Sequence, residues 1–218
     1  MSLETLLHES DIVTLHVPLT KEGIDKTWHL VDDAVTGKMK RGAWIINSSR
    51  GEVAGTEALK KGIRSGSLSG AVADVWENEP EIDIELMNMV SVATPHIAGY
   101  STDGKANGTA IVVNELSKFF SLPLKSWYPE RLPEPVQQII NIDCRGKNIS
   151  QIIGEAVEHT YDISADDRRL RENPSGFEKQ RSEYPVRREF HAFTVRLLNG
   201  TDESKEILDK LGFNTTIL

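Results

Sequence analysis

The sequence predicts an α/β protein, with a parallel, doubly wound sheet in the first part of the chain and a smaller α/β unit after it. Three observations carry that prediction. Four short runs rich in Val, Ile and Ala alternate with helical patterns up to about residue 93. A stretch holding four prolines follows a longer amphipathic segment. Beyond the prolines, the alternation of strand and helix resumes on a smaller scale. At 218 residues the chain suits one large domain or two modest ones.

Ile12–Val17, Ala43–Ile46, Gly70–Val75 and Val90–Ala93 read as buried strands, being short, apolar and mostly bounded by polar or turn residues. Helical patterns lie between them at Val31–Met39 and Thr56–Arg64, with a shorter one near Asp83–Met89. Right-handed crossovers then place the carboxyl end of every strand on one edge of the sheet. A longer helix is expected over Gly108–Phe120, with Ile111, Val112, Leu116, Phe119 and Phe120 on or near one face.

Ser121–Pro135 (SLPLKSWYPERLPEP) disfavours a continuous helix or a central strand. It is read as an extended linker, giving domains at 1–120 and 138–218 with 121–137 between them. In the second domain Gln138–Ile142 resembles a strand and Ile149–Thr160 an amphipathic helix. A charged segment, Ala165–Tyr184, precedes a second strand over Phe190–Leu197. Ser204–Leu211 is a helix stopped by Gly212, and Asn214–Ile217 a last strand.

The net charge of -8 argues against nucleic acid as the main partner. A single cysteine, Cys144, leaves no internal disulfide framework and fits a reducing, cytoplasmic setting. No apolar run reaches the length of a membrane span, and the acidic start MSLETLLHESD is not a signal peptide.

Three polar residues follow expected strands: Arg50 in INSSRG, Glu79 in DVWENEP and His96 after TP. Taken singly, each has an ordinary reading as a solvated cation, part of the acidic run EPEIDIE, and a satisfied loop histidine. Ligands of open α/β sheets, however, bind outside the carboxyl ends of the strands, where all three can converge. An arginine fork binds a carboxylate bidentately. A histidine moves a proton near neutrality, and a carboxylate beside it orients the ring. Together they describe a site that oxidises a 2-hydroxy acid, with hydride leaving for a cofactor.

NSSRGE, DVWENEP and TPHIAGYS resemble, in order and spacing, the three signature segments of the D-isomer-specific 2-hydroxyacid dehydrogenases. SDIVTLHVPLT and TWHLVDDAVTGKMKRGAWIIN fit the same family, so the match runs from Leu3 to about Phe120. The resemblance implies the second half of a Rossmann-type sheet and NAD as cofactor. It makes Arg50 the anchor of the substrate carboxylate, His96 the general acid/base and Glu79 its partner. Asp74 is implied as the contact to the nicotinamide carboxamide; a strand-end cap is its ordinary alternative. Ser48, Ser49 and Arg50, with the backbone near Val17 and Gly99, are implied as further cofactor contacts, although serines also serve turns. No metal is implied.

HIAGYSTDGKANGT, GFEKQRSEYPVRREF and LGFN resemble one branch of the family, acting on a phosphorylated 2-hydroxy acid and carrying an extra C-terminal dimerisation domain. That implies Tyr100 at the substrate, Lys105 at its phosphate unless it simply faces water, and a homodimer through residues 138–218. The apolar faces of Ile149–Thr160 and Phe190–Leu197 would form the interface, or else that domain's own core. No G-x-G-x-x-G occurs in the 218 residues, so the sequence is expected to start within the cofactor domain and to bind NAD weakly by itself. Two other readings stay open: a dehydrogenase for 3-phosphoglycerate or glycerate, and a non-catalytic dimerisation module retaining the motifs.

Overall fold

The computed structural model describes residues 1–218. In chain order its first elements are α1 (Leu3–Glu9), β1 (Ile12–Leu15), α2 (Asp33–Lys38), β2 (Ala43–Asn47), α3 (Thr56–Ser65), β3 (Leu68–Ala73), α4 (Ile84–Met89) and β4 (Val92–Ala93). Then come α5 (Thr102–Phe119), β5 (Ile139–Asp143), α6 (Ile149–Thr160), α7 (Ile163–Glu172), α8 (Phe177–Ser182), β6 (Thr194–Leu198), α9 (Asp202–Leu211) and β7 (Asn214–Ile217). The chain forms two compact units: Met1–Ala98 with Ile163–Tyr184, and Gly99–Asp162 with Pro185–Leu218.

In the first unit β1, β2, β3 and β4 pair in that order, all parallel. Every strand therefore ends on the same edge, as the βαβ reading requires. Burial alternates along β1 and β2, placing Val13, Leu15, Ala43 and Ile45 in the core while Trp44 and Ile46 stay half-buried. Leu59, Leu86, Leu170 and Phe177 pack into the same core. Carboxylates start two of the short helices: Asp32 accepts from the Val35 amide and Asp83 from the Leu86 amide, satisfying donors that the first turn leaves orphaned.

The second unit holds a three-stranded parallel sheet in the order β5, β6, β7. Asn148 and Gln151 form a capping box at α6, and Thr201 and Ser204 another at α9. α9 stops at Gly212, whose φ of 102° suits glycine alone. Ile152 and Ala156 of α6 and Val195 and Leu197 of β6 bury with Ile140, Leu208 and Phe213. Those apolar faces are thus the unit's own core rather than an interface.

Several sequence expectations need correction. α5 begins at Thr102, not Gly108, because the Ser101 hydroxyl accepts from the Gly104 amide and caps a helix that tolerates two glycines. Its buried side is made of Asp103, Ala106, Ala110 and Ser117, whereas Ile111, Val112, Leu116, Phe119 and Phe120 are exposed. Residues 121–137 have no helix or strand, yet they are not a detached linker. Asn114 exchanges two hydrogen bonds with the Trp127 backbone, and Ser117 donates to the carbonyls of Leu122 and Leu124.

The unit boundary falls instead between Ala98 and Gly99. The segment Ile163–Tyr184, expected in the middle of the C-terminal domain, packs into the first unit, where Leu170 and Phe177 are fully buried. Finally, the strand expected from Phe190 starts at Thr194, after a 3-10 turn over Phe190–Ala192.

Candidate active site

The ends of β2, β3 and β4 supply the three signature turns, and side chains tie each turn to the next. After β2, Asn47 is buried and acts as a hub: its Nδ2 donates to the Arg50 carbonyl at 3.0 Å, and its Oδ1 accepts from the Ser49 hydroxyl at 2.9 Å. Gly51 lies hard against the next turn. A Cβ added there would stand 1.9 Å from the Trp76 carbonyl carbon and 2.4 Å from the Glu77 nitrogen. No side chain fits, so the glycine lets the NSSRGE turn dock on DVWENEP.

After β3, Asp74 is 6% exposed and its carboxylate is almost fully engaged by the loop that follows β4. Oδ1 accepts from the Thr94 hydroxyl at 2.6 Å and the Ile97 amide at 2.7 Å, and Oδ2 from the Ala98 amide at 2.9 Å. The Asp74 carbonyl accepts from the His96 amide at 2.6 Å. Trp76 Nε1 adds a bond to the Thr94 carbonyl at 2.9 Å. Asp74 and Trp76 together clamp the TPHIA loop onto the sheet.

Within that frame Glu79 bridges two turns. Its Oε1 accepts from the Trp76 amide at 2.9 Å, and its Oε2 lies 2.8 Å from His96 Nδ1. The two side chains are 20% and 26% exposed, so the pair is sheltered but open to a ligand. An ionised carboxylate only accepts, so the Nδ1–H of His96 donates to Glu79. His96 has φ of 55°, a region that non-glycine residues seldom occupy. Such strain persists only where the surroundings over-determine it.

A second histidine–carboxylate pair stands next to this one and was not singled out from the sequence. Glu77 Oε1 lies 2.7 Å from His29 Nε2, and Oε2 accepts from the Thr56 amide at 2.7 Å. Burial pushes the Glu77 carboxyl up, but the hydrogen bonds from Thr56 and His29 outweigh it and hold the group below its ordinary value. Glu77 thereby ties the DVWENEP turn to the start of α3.

The structure brings Glu79 and His96 into contact and joins Ser49, Arg50 and Asp74 to the same edge. Arg50 is exposed, with Nη1 donating to the Ser49 carbonyl at 2.6 Å; it makes no hydrogen bond to Glu79 or His96. Ser48 is half-buried, and Val17 packs partly on the core just beyond β1. Gly99, Tyr100 and Lys105 belong to the second unit, where Lys105 Nζ sits 4.1 Å from the centroid of the Tyr100 ring. Asn47, Gly51 and the clamping role of Asp74 escaped sequence reading. The N in INSSRG and the glycine after Arg50 were visible signals, but their work is done on neighbouring backbone.

The family described as D-isomer specific 2-hydroxyacid dehydrogenase, NAD binding domain, matches residues 1–98, and a domain of unknown function, DUF3410, matches residues 132–212. A relative in Bacteroides fragilis, named erythronate-4-phosphate dehydrogenase, is 45% identical over 194 residues, covering 89% of this chain and 53% of that protein. One of the same name in Porphyromonas gingivalis is 38% identical over 214 residues, covering 98% and 57%. A solved structure, the holo form of Rhodotorula graminis D-mandelate dehydrogenase, is 37% identical with a TM-score of 0.48, covering 54% of this chain and 33% of that one. The chain spans about half the length of the curated relatives it matches.

Proposed function

We propose that this chain, whose residues 1–98 match the NAD-binding domain of the D-isomer-specific 2-hydroxyacid dehydrogenases, serves the NAD-dependent oxidation of 4-phospho-D-erythronate. The product would be 2-oxo-3-hydroxy-4-phosphobutanoate, on the route to pyridoxal 5'-phosphate. The observation that carries the reading is the His96–Glu79 pair, 2.8 Å from Nδ1 to Oε2, at the carboxyl ends of parallel strands. The names borne by relatives at 38–45% identity support the choice of substrate.

In this reading His96 Nε2 accepts the proton of the substrate's 2-hydroxyl, and Glu79 stabilises the imidazolium that results. Arg50 turns the free part of its fork to the substrate carboxylate and to the oxygen of the reacting carbon. Tyr100 and Lys105 keep the substrate roles that the resemblance implies, with Lys105 at the phosphate. Bound NAD supplies the hydride acceptor. The nicotinamide end fits the residues present: Asp74 Oδ2 has one donor and so retains an acceptor position for an amide N–H. Ser48, Ser49 and the backbone near Val17 and Gly99 are the further contacts we assign to it. We also assign a homodimer to residues 138–218 and a cytoplasmic location; no helix is long and apolar enough to cross a membrane.

The test is NADH formation by the protein that carries this chain, offered 4-phospho-D-erythronate, 3-phosphoglycerate and glycerate in turn. A clear preference for the first is expected. Equal or greater kcat/KM with either of the others would overturn the substrate.

A further inference from the structure

The segment Ile163–Tyr184 is flanked in sequence on both sides by the second unit and lies inside the match to a domain of unknown function, yet it folds with the first unit. Its attachment is specific. Leu170 and Phe177 are fully buried in the first unit's core. The Asp167 carboxylate accepts from the Ala93 amide of β4 at 2.7 Å, closing a donor on the edge strand of the sheet. Arg171 pairs with Asp167 and donates to the carbonyls of Met87 and Val90, which α4 leaves without partners at its end. Tyr184 donates to buried Asp166, so the two ends of the segment are fastened to each other.

The last helix of this segment reaches the histidine. Arg181 Nε donates to the His96 carbonyl at 3.4 Å, while its guanidinium lies over the Phe177 ring. The Asp74 carbonyl takes the His96 amide from the other side. A residue at φ of 55° is therefore held at both of its backbone polar groups, one by Asp74 just after β3 and one by Arg181 of α8.

We infer that the α7–α8 segment is part of the catalytic unit and that Arg181 is a positioning residue, holding the His96 backbone so that the ring meets Glu79. The inference rests on the reading of His96 as the acid/base. Its test records the histidine's state rather than turnover, so failure here leaves the proposed reaction standing, and failed turnover leaves this contact standing.

The experiment uses the full chain labelled with 15N, with His96→Gln identifying the His96 ring among the six histidines. In Arg181→Ala the His96 ring nitrogens should shift and the Nδ1 proton signal should be lost, while the Ala93 amide stays slow to exchange because Asp167 still docks the segment. Arg181→Lys, which keeps a donor, should restore the wild-type signals. Unchanged ring signals with Ala93 still protected would overturn the inference, as would failure of the lysine to rescue. Should Arg181→Ala release Ala93, Arg181→Met decides by the same criteria, since it keeps an unbranched side chain beside Phe177 and removes the guanidinium donor.

Discussion

Gly51 has no room for a side chain, because the Trp76 carbonyl carbon stands 1.9 Å from where a Cβ would be. Both partners are backbone, so neither can swing away. Gly51→Ala should lower stability by at least ~2 kcal/mol, read as a fall in the urea midpoint; an unchanged midpoint would contradict the close docking of the two turns. At His96 the effect is on rate instead. His96→Ala in the active protein should cut kcat by at least the ~10²-fold typical of general acid–base catalysis, and wild-type turnover would sink the assignment. Arg50→Lys should raise KM, because a single ammonium replaces a planar fork. Residue types with their own chemistry, Arg50, Glu79 and His96, were legible in the sequence. Asn47 and the Asp74 clamp were not, since their partners are amides and carbonyls of other turns that no residue letter reveals.

Among the elements, α7 and α8 depart furthest from the sequence reading. The sequence reading put this charged segment in the C-terminal domain, yet its Leu170 and Phe177 are fully buried in the first unit's core. Phe177→Ala should cost about 3–5 kcal/mol of stability, the range for emptying an aromatic site in a core. The loss should appear in the first unit, through faster exchange of the β3 and β4 amides. Equal exchange in wild type and variant would show that α8 adds nothing to that core. α5 teaches the converse lesson. Its small residues are buried and its large apolar ones exposed, so periodicity identified a helix but not the face that packs.

For the whole molecule, acid should act through Asp103. Burial opposes ionisation there, but the Arg188 fork and the Glu189 amide outweigh it and hold the carboxyl below its ordinary 3.8. A depressed carboxyl stabilises the fold above its ordinary value, and the contribution fades as pH falls from there through the lower, folded value. Wild-type stability should therefore drop on acidification below that point, and the drop should be shallower in Asp103→Asn. At neutral pH the variant should be less stable by about 3 kcal/mol, since Arg188 stays buried without its partner. Parallel pH profiles for the two proteins would refute this. Cofactor binding belongs to the same scale. With no Gly-rich loop among its 218 residues, the chain should titrate NADH only weakly by fluorescence, and saturation at low micromolar concentration would contradict that.

By itself the sequence determined the α/β class, the parallel direction of the first sheet's strands, the three signature turns and the chemistry their side chains offer. These are local matters of hydrophobic period, turn residues and side-chain type. Only the tertiary structure decided that Asp74 spends its carboxylate on the His96 loop, and that residues 163–184 join the first unit. Each depends on which backbone groups and which cores meet across dozens of residues. Hydrogen bonding and burial select such meetings by free energy over the whole chain, and no window of sequence contains both partners.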